Sequence, residues 1–585
     1  MSVPTAMLTH LSGVSSTLAG LDMTMPGDTG FDSGYTFFGT NLTIAVLNGT
    51  VPEWRLDDMV TRIMAAYYYV GRDHTQVPIN FNAWSLATYG YIHPIPQLGY
   101  QQINWHVDVR DDHSELIRSH AASSTVLLKN TKNALPLTGK EKFTAVIGWD
   151  SVIGPWGPNG CSDRGCDNGT LAMGWGSGTA NFPYLVDPLT AIQNEVLQND
   201  GIVQSETQNW ATAQIQTLAS QASVAIVFVN ADSGEGYISV DGNEGDRNNL
   251  TLWQNGETII SETTAVCNNV IVVVHSVGPL LIGSWNSNPN ITAILWAGLP
   301  GEQSGNSLAD VLYGRVVPGG KLPFTLGPTR ESYGTDILYE PNNDLNAPQD
   351  DFTEGIFIDY RHFDQADITP VYEFGFGLSY TTFSYSNLNV QSHGVTPYNP
   401  TAGKTGAAPT LGQVQNNSAD YQYPPGFDKI PVYIYPYLNS TDLEVASEDP
   451  YYGEPSSEWL PTGSTDGSPQ PKVPAGGAPG GNPALYDVLF TVTAEIENTG
   501  KVTGDEIVQV YVSLGGPNDA PKVLRQFDRL TISPGQRARF SADLTRRDLS
   551  NWDTASQNWV ISNYPKTVYV GASSRNLPLS QKLNL

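Results

Sequence analysis

The middle of the chain alternates between short apolar runs and amphipathic segments, and this alternation limits the fold more than any other feature. Apolar runs predict strands over residues 143–148, 224–229, 269–275 and 292–297. Helical spacing of apolar residues predicts helices over residues 111–128, 208–222, 257–267 and 302–313. Strands that alternate with helices form a mostly parallel sheet with helices on both faces. We therefore expect an α/β sandwich.

The pattern differs on either side of this region, so the chain of 585 residues is multidomain. Before it, helical patterns over 41–48 and 53–69 and a short strand over 21–25 predict a β/α tail. After residue 383 the apolar period becomes two, which predicts a β-sandwich. The expected boundaries are a β/α tail at 1–70, a linker at 71–110, the α/β sandwich at 111–327, a connecting segment at 328–380, and the β-sandwich at 381–585 with a Pro- and Gly-rich insertion at about 393–482.

The composition excludes several classes of protein. A net charge of -29 and a pI near 4.5 argue against nucleic acid, whose phosphates need a basic surface. No apolar run reaches the roughly 18 residues that a membrane span needs. Cys161 and Cys166 lie in a tight loop with four residues between them, a spacing that permits a disulfide, and Cys267 is expected as a buried thiol.

A high density of glycosylation sequons favours a secreted, extracellular protein. The sequons are at Asn41, Asn48, Asn168, Asn249, Asn290, Asn416 and Asn439. Residues 1–10 nevertheless have neither the basic start nor the apolar core of a signal peptide, so we expect N-terminal sequence to be missing.

The loop at 231–250 is the strongest candidate for chemistry. It follows the uncharged run 224–229 and is rich in Gly, Asp, Asn and Glu, so it lies at the carboxyl end of a buried strand. Ligands of open α/β sheets bind at that edge. The loop carries Glu235 with Tyr237 two residues later, and carboxylates beside an aromatic ring suit sugar chemistry. A surface loop without function is the alternative.

Three other patterns give only weak evidence for a nucleotide site, a calcium site or a catalytic triad. The G-x-G at 174–178 is followed by a proline where a nucleotide-binding motif needs a helix. The acidic segment 241–246 resembles a calcium loop, but Gly245 occupies a ligand position. His275 ends a buried strand without the partners of a catalytic triad, so we expect a core or site-edge histidine. No metal site is predicted.

Glycoside hydrolysis needs two carboxyl groups across the scissile bond, one protonated and one ionised. Glu235, with glycines on both sides, is the candidate proton donor. From position at a strand end alone, Asp22 or Asp28 of the β/α tail is the candidate for the second carboxylate.

Several motifs together resemble the fungal β-glucosidases of glycoside hydrolase family 3, and the resemblance extends over essentially the whole chain. The motifs lie at 171–184, 232–253, 275–279, 296–306 and 372–380. The resemblance implies a (β/α)8 barrel, an α/β sandwich and a fibronectin-III-like domain. It also implies retaining hydrolysis of terminal β-glucosyl residues of cellobiose and short β-glucans without a cofactor, as in cellulose breakdown. A homodimer is left open.

The resemblance also implies roles for individual residues. Glu235 is similar to the family's acid/base, and Ser177 to the serine that reaches the sugar in the −1 subsite. Tyr237 and Phe31 are similar to aromatic residues that flank the +1 subsite.

One departure from the family pattern concerns the nucleophile. The family's nucleophile is the Asp of a Ser-Asp-Trp motif, and aligning the intact run 12–28 places Ala6 at that position. Asp22 and Asp28 then become structural residues of the family. Residues 1–70 would be the C-terminal remnant of the barrel. We therefore expect this chain to be inactive by itself, or, alternatively, to be a non-catalytic carbohydrate-binding or partner protein derived from the enzyme.

Overall fold

In the computed structural model the chain divides into two compact units. The first contains residues 1–109 and 398–483, and the second contains residues 110–397 and 484–585. The residues that the structure describes are 13–25, 27, 36–47, 49–75, 88–90, 99–102, 105, 108–160, 169–176, 179–235, 239–240, 243–245, 247–338, 340–342, 349–395, 483–553 and 558–584. The predicted insertion at 393–482 lies almost entirely outside them.

Among its described residues, the first unit has three helices and one pair of short antiparallel strands. It contains α1 (Gly13–Leu18), α2 (Gly39–Leu47), α3 (Glu53–Tyr69), β1 (Tyr89–Gly90) and β2 (Gln101–Gln102). Buried Arg55 on α3 donates to the Thr17 carbonyl at 2.8 Å and pairs with Asp22 at 2.8 Å and Asp58 at 3.1 Å. This cluster fixes α3 against α1 and gives the Asp22 carboxylate a structural partner.

The predicted strand at 21–25 is wrong, because the structure has irregular backbone there. An apolar run this short fits a strand only when neighbouring strands bind its backbone. No strand occurs in the described part of residues 1–70, so the barrel remnant stays a prediction.

The α/β part of the second unit alternates as the sequence predicts. Its helices are α4 (His113–Ser124), α5 (Pro188–Gln198), α6 (Thr212–Ala219), α7 (Gly256–Val266), α8 (Gly283–Asn286), α9 (Ser304–Leu312) and α10 (Tyr360–Gln365). Its strands are β3 (Val126–Asn130), β4 (Thr144–Ile147), β5 (Val203–Glu206), β6 (Val224–Ala231), β7 (Ser239–Val240), β8 (Asn243–Glu244), β9 (Val270–Ser276) and β10 (Ile291–Trp296).

Six of these strands form one sheet in the order β3-β10-β9-β6-β4-β5. All neighbours are parallel except β3, which runs antiparallel to β10. Every residue of β6, β9 and β10 is buried, and a separate apolar cluster covers each face of the sheet. The mostly parallel sheet predicted from the sequence is confirmed.

One predicted element of this sheet is wrong. The helix expected over 111–128 ends at Ser124, and the chain continues as edge strand β3. Val126 and Leu128 join the core on one face of the sheet, whereas Leu127 joins the core on the other face. Burial on alternate faces requires the twofold period of a strand. The sequence alone does not show that a second layer covers these residues.

The β-sandwich begins at β11 (Phe383–Ser392) and resumes after the insertion. The later strands are β12 (Val488–Asn498), β13 (Gly504–Ser513), β14 (Val523–Ile532), β15 (Arg537–Thr545), β16 (Asn551–Asp553), β17 (Asn558–Val560), β18 (Lys566–Gly571) and β19 (Leu579–Leu583). A three-stranded sheet, β11-β12-β15, and a four-stranded sheet, β14-β13-β18-β19, share one apolar core. The predicted sandwich is confirmed.

Charged side chains join the sandwich to the α/β part within this unit. Glu506 on β13 accepts a hydrogen bond from the Tyr385 hydroxyl and pairs with Lys321 at 3.4 Å. Asp364 on α10 pairs with Lys522 at 2.7 Å and with Arg575 at 3.2 Å. Because these carboxylates are shielded from solvent, screening by salt weakens the pairs less than it would on an open surface.

We expect Asp310→Asn to lower the free energy of unfolding by about 2 kcal/mol at pH 7. Asp310 on α9 pairs with Arg118 of α4 at 2.6 Å and with Arg315 at 2.6 Å. Burial alone would raise the pKa of Asp310, but the hydrogen bonds from the two guanidinium groups outweigh it and lower the pKa. This stabilisation is present above the unfolded-state pKa and is lost as the pH falls through the lowered folded-state pKa.

Urea unfolding of the variant and the parent protein from pH 7 down to pH 3 measures this difference. If the difference in free energy of unfolding between the two proteins stays constant down to pH 3, the ion-pair explanation is wrong.

Candidate active site

The candidate acid/base residue lies directly beyond the carboxyl end of a central strand. Strand β6 ends at Ala231, and irregular backbone continues through Asp232 to Glu235. Because β6 is buried along its whole length, polar residues appear only where the strand leaves the core. Glu235 is half-buried at this edge.

The indole of Trp175 holds the backbone that carries Glu235. Its Nε1 donates a hydrogen bond to the Glu235 carbonyl at 2.9 Å. A Cβ on Gly234 would lie 2.4 Å from the Trp175 ring, so the loop approaches the indole more closely than any side chain would permit. A Cβ on Gly176 would lie 3.3 Å from the Glu235 Cγ. Segments 174–176 and 232–235 therefore pack against each other.

A second indole supports the first. Trp253 lies 6.1 Å from Trp175 between ring centroids, and both side chains are buried. The backbone N–H of Trp253 donates to the Asn230 carbonyl at 2.9 Å, which fixes it to the end of β6. The Glu235 loop thus rests on two buried aromatic side chains, and the second of them is bound to the end of β6.

A buried polar cluster lies at the same edge. The Asp150 carboxylate accepts from His275 Nδ1 at 2.6 Å, from the Leu171 N–H at 2.8 Å and from Asn230 Nδ2 at 3.3 Å. Burial raises the pKa of Asp150, and the contact with His275 opposes this rise. The cluster joins the ends of three strands, because Asp150 follows β4 while Asn230 and His275 are register partners on β6 and β9.

This geometry agrees with the sequence-based interpretation of His275 as a core or site-edge histidine. Its side chain is fully buried, and its ring lies 6.5 Å from that of Phe228. Its Nδ1 is hydrogen-bonded, whereas its Nε2 has no hydrogen-bond partner among the described residues. A buried polar atom in this position destabilises the fold unless water reaches it.

Asp232 is a further carboxylate at this edge, three residues before Glu235. Its side chain is fully buried, and its Oδ1 accepts from the Ser233 N–H at 2.8 Å. Burial raises the pKa of Asp232 to about 7, although the Ser233 N–H and the charge of Arg247 oppose this rise. Burial therefore keeps this carboxyl group protonated to a higher pH than an exposed aspartate.

Several predicted site residues lie outside the described part of the chain. They are Phe31, Ser177, Tyr237, Asp28, Ala6, the cysteines Cys161 and Cys166, and the sequon residues Asn48, Asn168, Asn416 and Asn439. Of the other sequon residues, Asn41 and Asn249 are exposed and Asn290 is half-buried. Cys267 is a buried free thiol. None of the described helices is long and apolar enough to cross a membrane.

The sequence interpretation did not single out Trp175, Asp232, Asp150 or Trp253 as residues of this site. A signal for Asp150 and Asp232 was present, because each is the first acid after a predicted strand. The two tryptophans gave no such signal, since their function depends on contacts between segments that lie far apart in the sequence.

Two parts of the chain match domain families found in carbohydrate-active enzymes. Residues 125–380 match the glycosyl hydrolase family 3 C-terminal domain, and residues 506–574 match a fibronectin type III-like domain. Such a pair of domains defines a glycoside hydrolase.

Comparisons over nearly the whole of this chain identify the family. The chain is 61% identical to β-glucosidase A of Aspergillus kawachii and 62% identical to β-glucosidase 1 of Aspergillus aculeatus, in each case over 98% of this chain and 67% of the relative. The solved glycoside hydrolase family 3 β-glucosidase of Neurospora crassa superposes with a TM-score of 0.80 at 58% identity, over 98% of this chain and 69% of that one. The chain belongs to glycoside hydrolase family 3, and its relatives include fungal β-glucosidases.

We expect Asp232→Asn to change how stability depends on pH. An unfolded aspartate titrates near pH 4, so between about pH 4 and pH 7 the folded protein holds a proton that the unfolded chain has released. The stability of the parent protein therefore falls as pH rises through this window. Asparagine keeps the acceptor for the Ser233 N–H. Between pH 4 and pH 8 the free energy of unfolding of the variant should therefore rise, relative to that of the parent, by on the order of 2 to 4 kcal/mol.

Urea unfolding followed by tryptophan fluorescence, at steps from pH 4 to pH 8, measures this gain. Asp310→Asn is the control, because its difference from the parent should change only at the acidic end. A difference for Asp232→Asn that is flat from pH 4 to pH 8 contradicts the raised pKa.

Proposed function

We propose that this chain carries the acid/base half of a retaining β-glucosidase site, and that Glu235 is the acid/base. The observation that supports this most directly is the placement of Glu235 at the carboxyl edge of the sheet, where Trp175 binds its backbone. Family membership and the names of the relatives agree with the proposal. The substrates are terminal non-reducing β-D-glucosyl residues of cellobiose and short β-glucans.

In the proposed reaction Glu235 acts twice. As an acid it gives its proton to the glycosidic oxygen while a nucleophilic carboxylate attacks the anomeric carbon, so the aglycone leaves with that proton. As a base it then takes a proton from water, and the resulting hydroxide displaces the nucleophile and releases glucose with retained configuration. Neither step uses a cofactor or a metal.

The other proposed contacts with the sugar rest on the resemblance and on chain position. Ser177 directly follows Gly176, whose Cα lies against Glu235, and is proposed for the −1 subsite. Tyr237 lies two residues after Glu235 and is proposed for the +1 subsite together with Phe31. The expected secretion of the protein, its Cys161–Cys166 disulfide and its glycans are also proposals.

The nucleophile limits what the chain can do. The resemblance aligns Ala6 with the family's nucleophilic aspartate, and alanine cannot form the covalent glucosyl intermediate. We therefore propose that the 585-residue chain does not turn over glucosides by itself. Ala6 also favours the second candidate function, a non-catalytic carbohydrate-binding or partner protein derived from the enzyme.

We expect no hydrolysis of 4-nitrophenyl β-glucoside by the purified chain. Without a nucleophile the loss of rate should be many orders of magnitude, and release of nitrophenolate measures it. If turnover occurs and Glu235→Gln abolishes it, the inactivity proposal is wrong but the role of Glu235 is supported. If turnover occurs and Glu235→Gln leaves it unchanged, Glu235 is not the acid/base. Glu257→Gln, an exposed acid in the first turn of α7, is the matched control.

The sequons should differ in occupancy when the protein passes through a secretory pathway. Asn249 is exposed, and its Oδ1 accepts from the Thr251 N–H at 3.0 Å. Asn290 is half-buried, and its Nδ2, the atom that would carry a glycan, donates to the Thr264 carbonyl at 2.9 Å. We expect Asn249 to be largely glycosylated and Asn290 largely unmodified, as measured by mass spectrometry of tryptic glycopeptides. The reverse order of occupancy contradicts this expectation.

A further inference from the structure

We propose that Trp149 and Trp210 form a second sugar-binding site, which stacks on the reducing-end rings of a β-1,4-linked glucan oligosaccharide. The two side chains are called the Trp149–Trp210 platform below. The inference rests on the proposed function, because it extends the same substrate away from Glu235. It adds a preference for oligosaccharides longer than a disaccharide.

The platform lies on the same sheet edge as Glu235. Trp149 begins a short 3₁₀ helix, Trp149–Ser151, two residues after the end of β4. Trp210 comes four residues after the end of β5. In the sheet order β6-β4-β5, neighbouring strands are about 4.8 Å apart, so β4 and β5 lie about 5 and about 10 Å to one side of β6. A glucan of a few sugar rings spans such a distance.

Hydrogen bonds connect the platform to the Glu235 loop. Buried Asn209 accepts from the Trp149 N–H at 2.8 Å, and its Nδ2 donates to the Gln254 carbonyl. Asn255 Nδ2 donates in turn to the Asn209 carbonyl at 2.9 Å. Residues 254–255 directly follow Trp253, which packs against Trp175 below Glu235. Hydrogen bonds and ring packing through these residues thus connect the two sites.

The platform is accessible to a ligand from solvent. Trp210 is 59% exposed and Trp149 is half-buried, although the indole is the largest apolar side chain. The rings meet edge to face, with centroids 6.0 Å apart and an interplanar angle of 86°. An exposed aromatic cluster of this kind commonly marks a binding surface.

The chemistry of the surroundings fits a neutral sugar. The faces of a β-linked glucose ring carry C–H groups that pack on an indole, while its hydroxyl groups need polar partners at the ring edge. Half-buried Glu206 and exposed Gln208 precede Trp210 by four and two positions, and they carry carboxylate and amide groups that suit such hydroxyls. Among the described residues, no cationic side chain lies over either ring of this pair.

A similar pair on the β-sandwich provides a matched control. Trp552 on β16 is 47% exposed and meets Trp559 edge to face, with centroids 5.9 Å apart. This pair lies on a hairpin rather than at the sheet edge, and the Arg547 guanidinium lies 4.9 Å from the Trp559 ring centroid. If exposed indoles bound glucans without regard to their surroundings, both pairs would do so.

Calorimetric titration of the 585-residue chain with cellotetraose and cellobiose tests the proposal. We expect cellotetraose to bind more tightly than cellobiose. Trp210→Ala should weaken cellotetraose binding about fivefold to tenfold, as expected for the loss of one aromatic contact, and Trp210→Phe should keep most of the affinity. Trp552→Ala should bind like the parent chain. Circular dichroism confirms that each variant is folded.

The proposal is overturned if Trp210→Ala binds cellotetraose as the parent does, if Trp552→Ala loses as much affinity, or if the parent binds no cellotetraose. Sedimentation of the same variants tests the other occupant, a second copy of this chain. Dissociation of a dimer by Trp210→Ala, with unchanged cellotetraose binding, also overturns the proposal. Calorimetry measures binding without turnover. A negative result for Glu235 in the glucoside assay can therefore be distinguished from a negative result for the platform.

Discussion

The burial of strands β6 and β9 on both faces is the constraint on which the rest of this structure depends. Two covered faces leave no place for polar side chains along the strands, so polar groups gather where the strands end. Asp150, Asn230 and His275 meet there because a buried polar atom must find a partner. The Glu235 loop begins at this point, and its position follows from the same exclusion of polar groups from the core.

Aromatic packing turns this edge into a fixed surface. Trp175 and Trp253 fill the space under the loop, and the glycines at 174, 176 and 234 let the segments approach closely. The carboxyl group of Glu235, the proposed acid/base, needs a fixed position, and the two buried indoles support the backbone that carries it. The same packing continues through Asn209 to the Trp149–Trp210 platform, so the loop and the platform share one support.

Much of the fold could be predicted from the sequence because its signals are local. Apolar runs without charge gave the central strands, and the period of two gave the sandwich. The errors arose where the signal depends on distant partners. Residues 126–128 were assigned to a helix because only the two cores that cover β3 show that they alternate between faces. The expected strand at 21–25 has no neighbouring strand among the described residues, and Asp22 pairs with Arg55 on α3.

For the candidate site, the sequence by itself determined the strand-end loop, its glycines and Glu235 as the foremost carboxylate. These follow from composition and chain order, which no packing can change. Only the tertiary structure brought Trp175 to the Glu235 backbone, Asp150 to His275 and Trp149 to Trp210, because these partners are separated by 60, 125 and 61 positions. A local pattern carries no information about which distant side chain will fill a given space. The packing of the sheet determines which side chains meet, because it buries the apolar residues and leaves these residues at the edge.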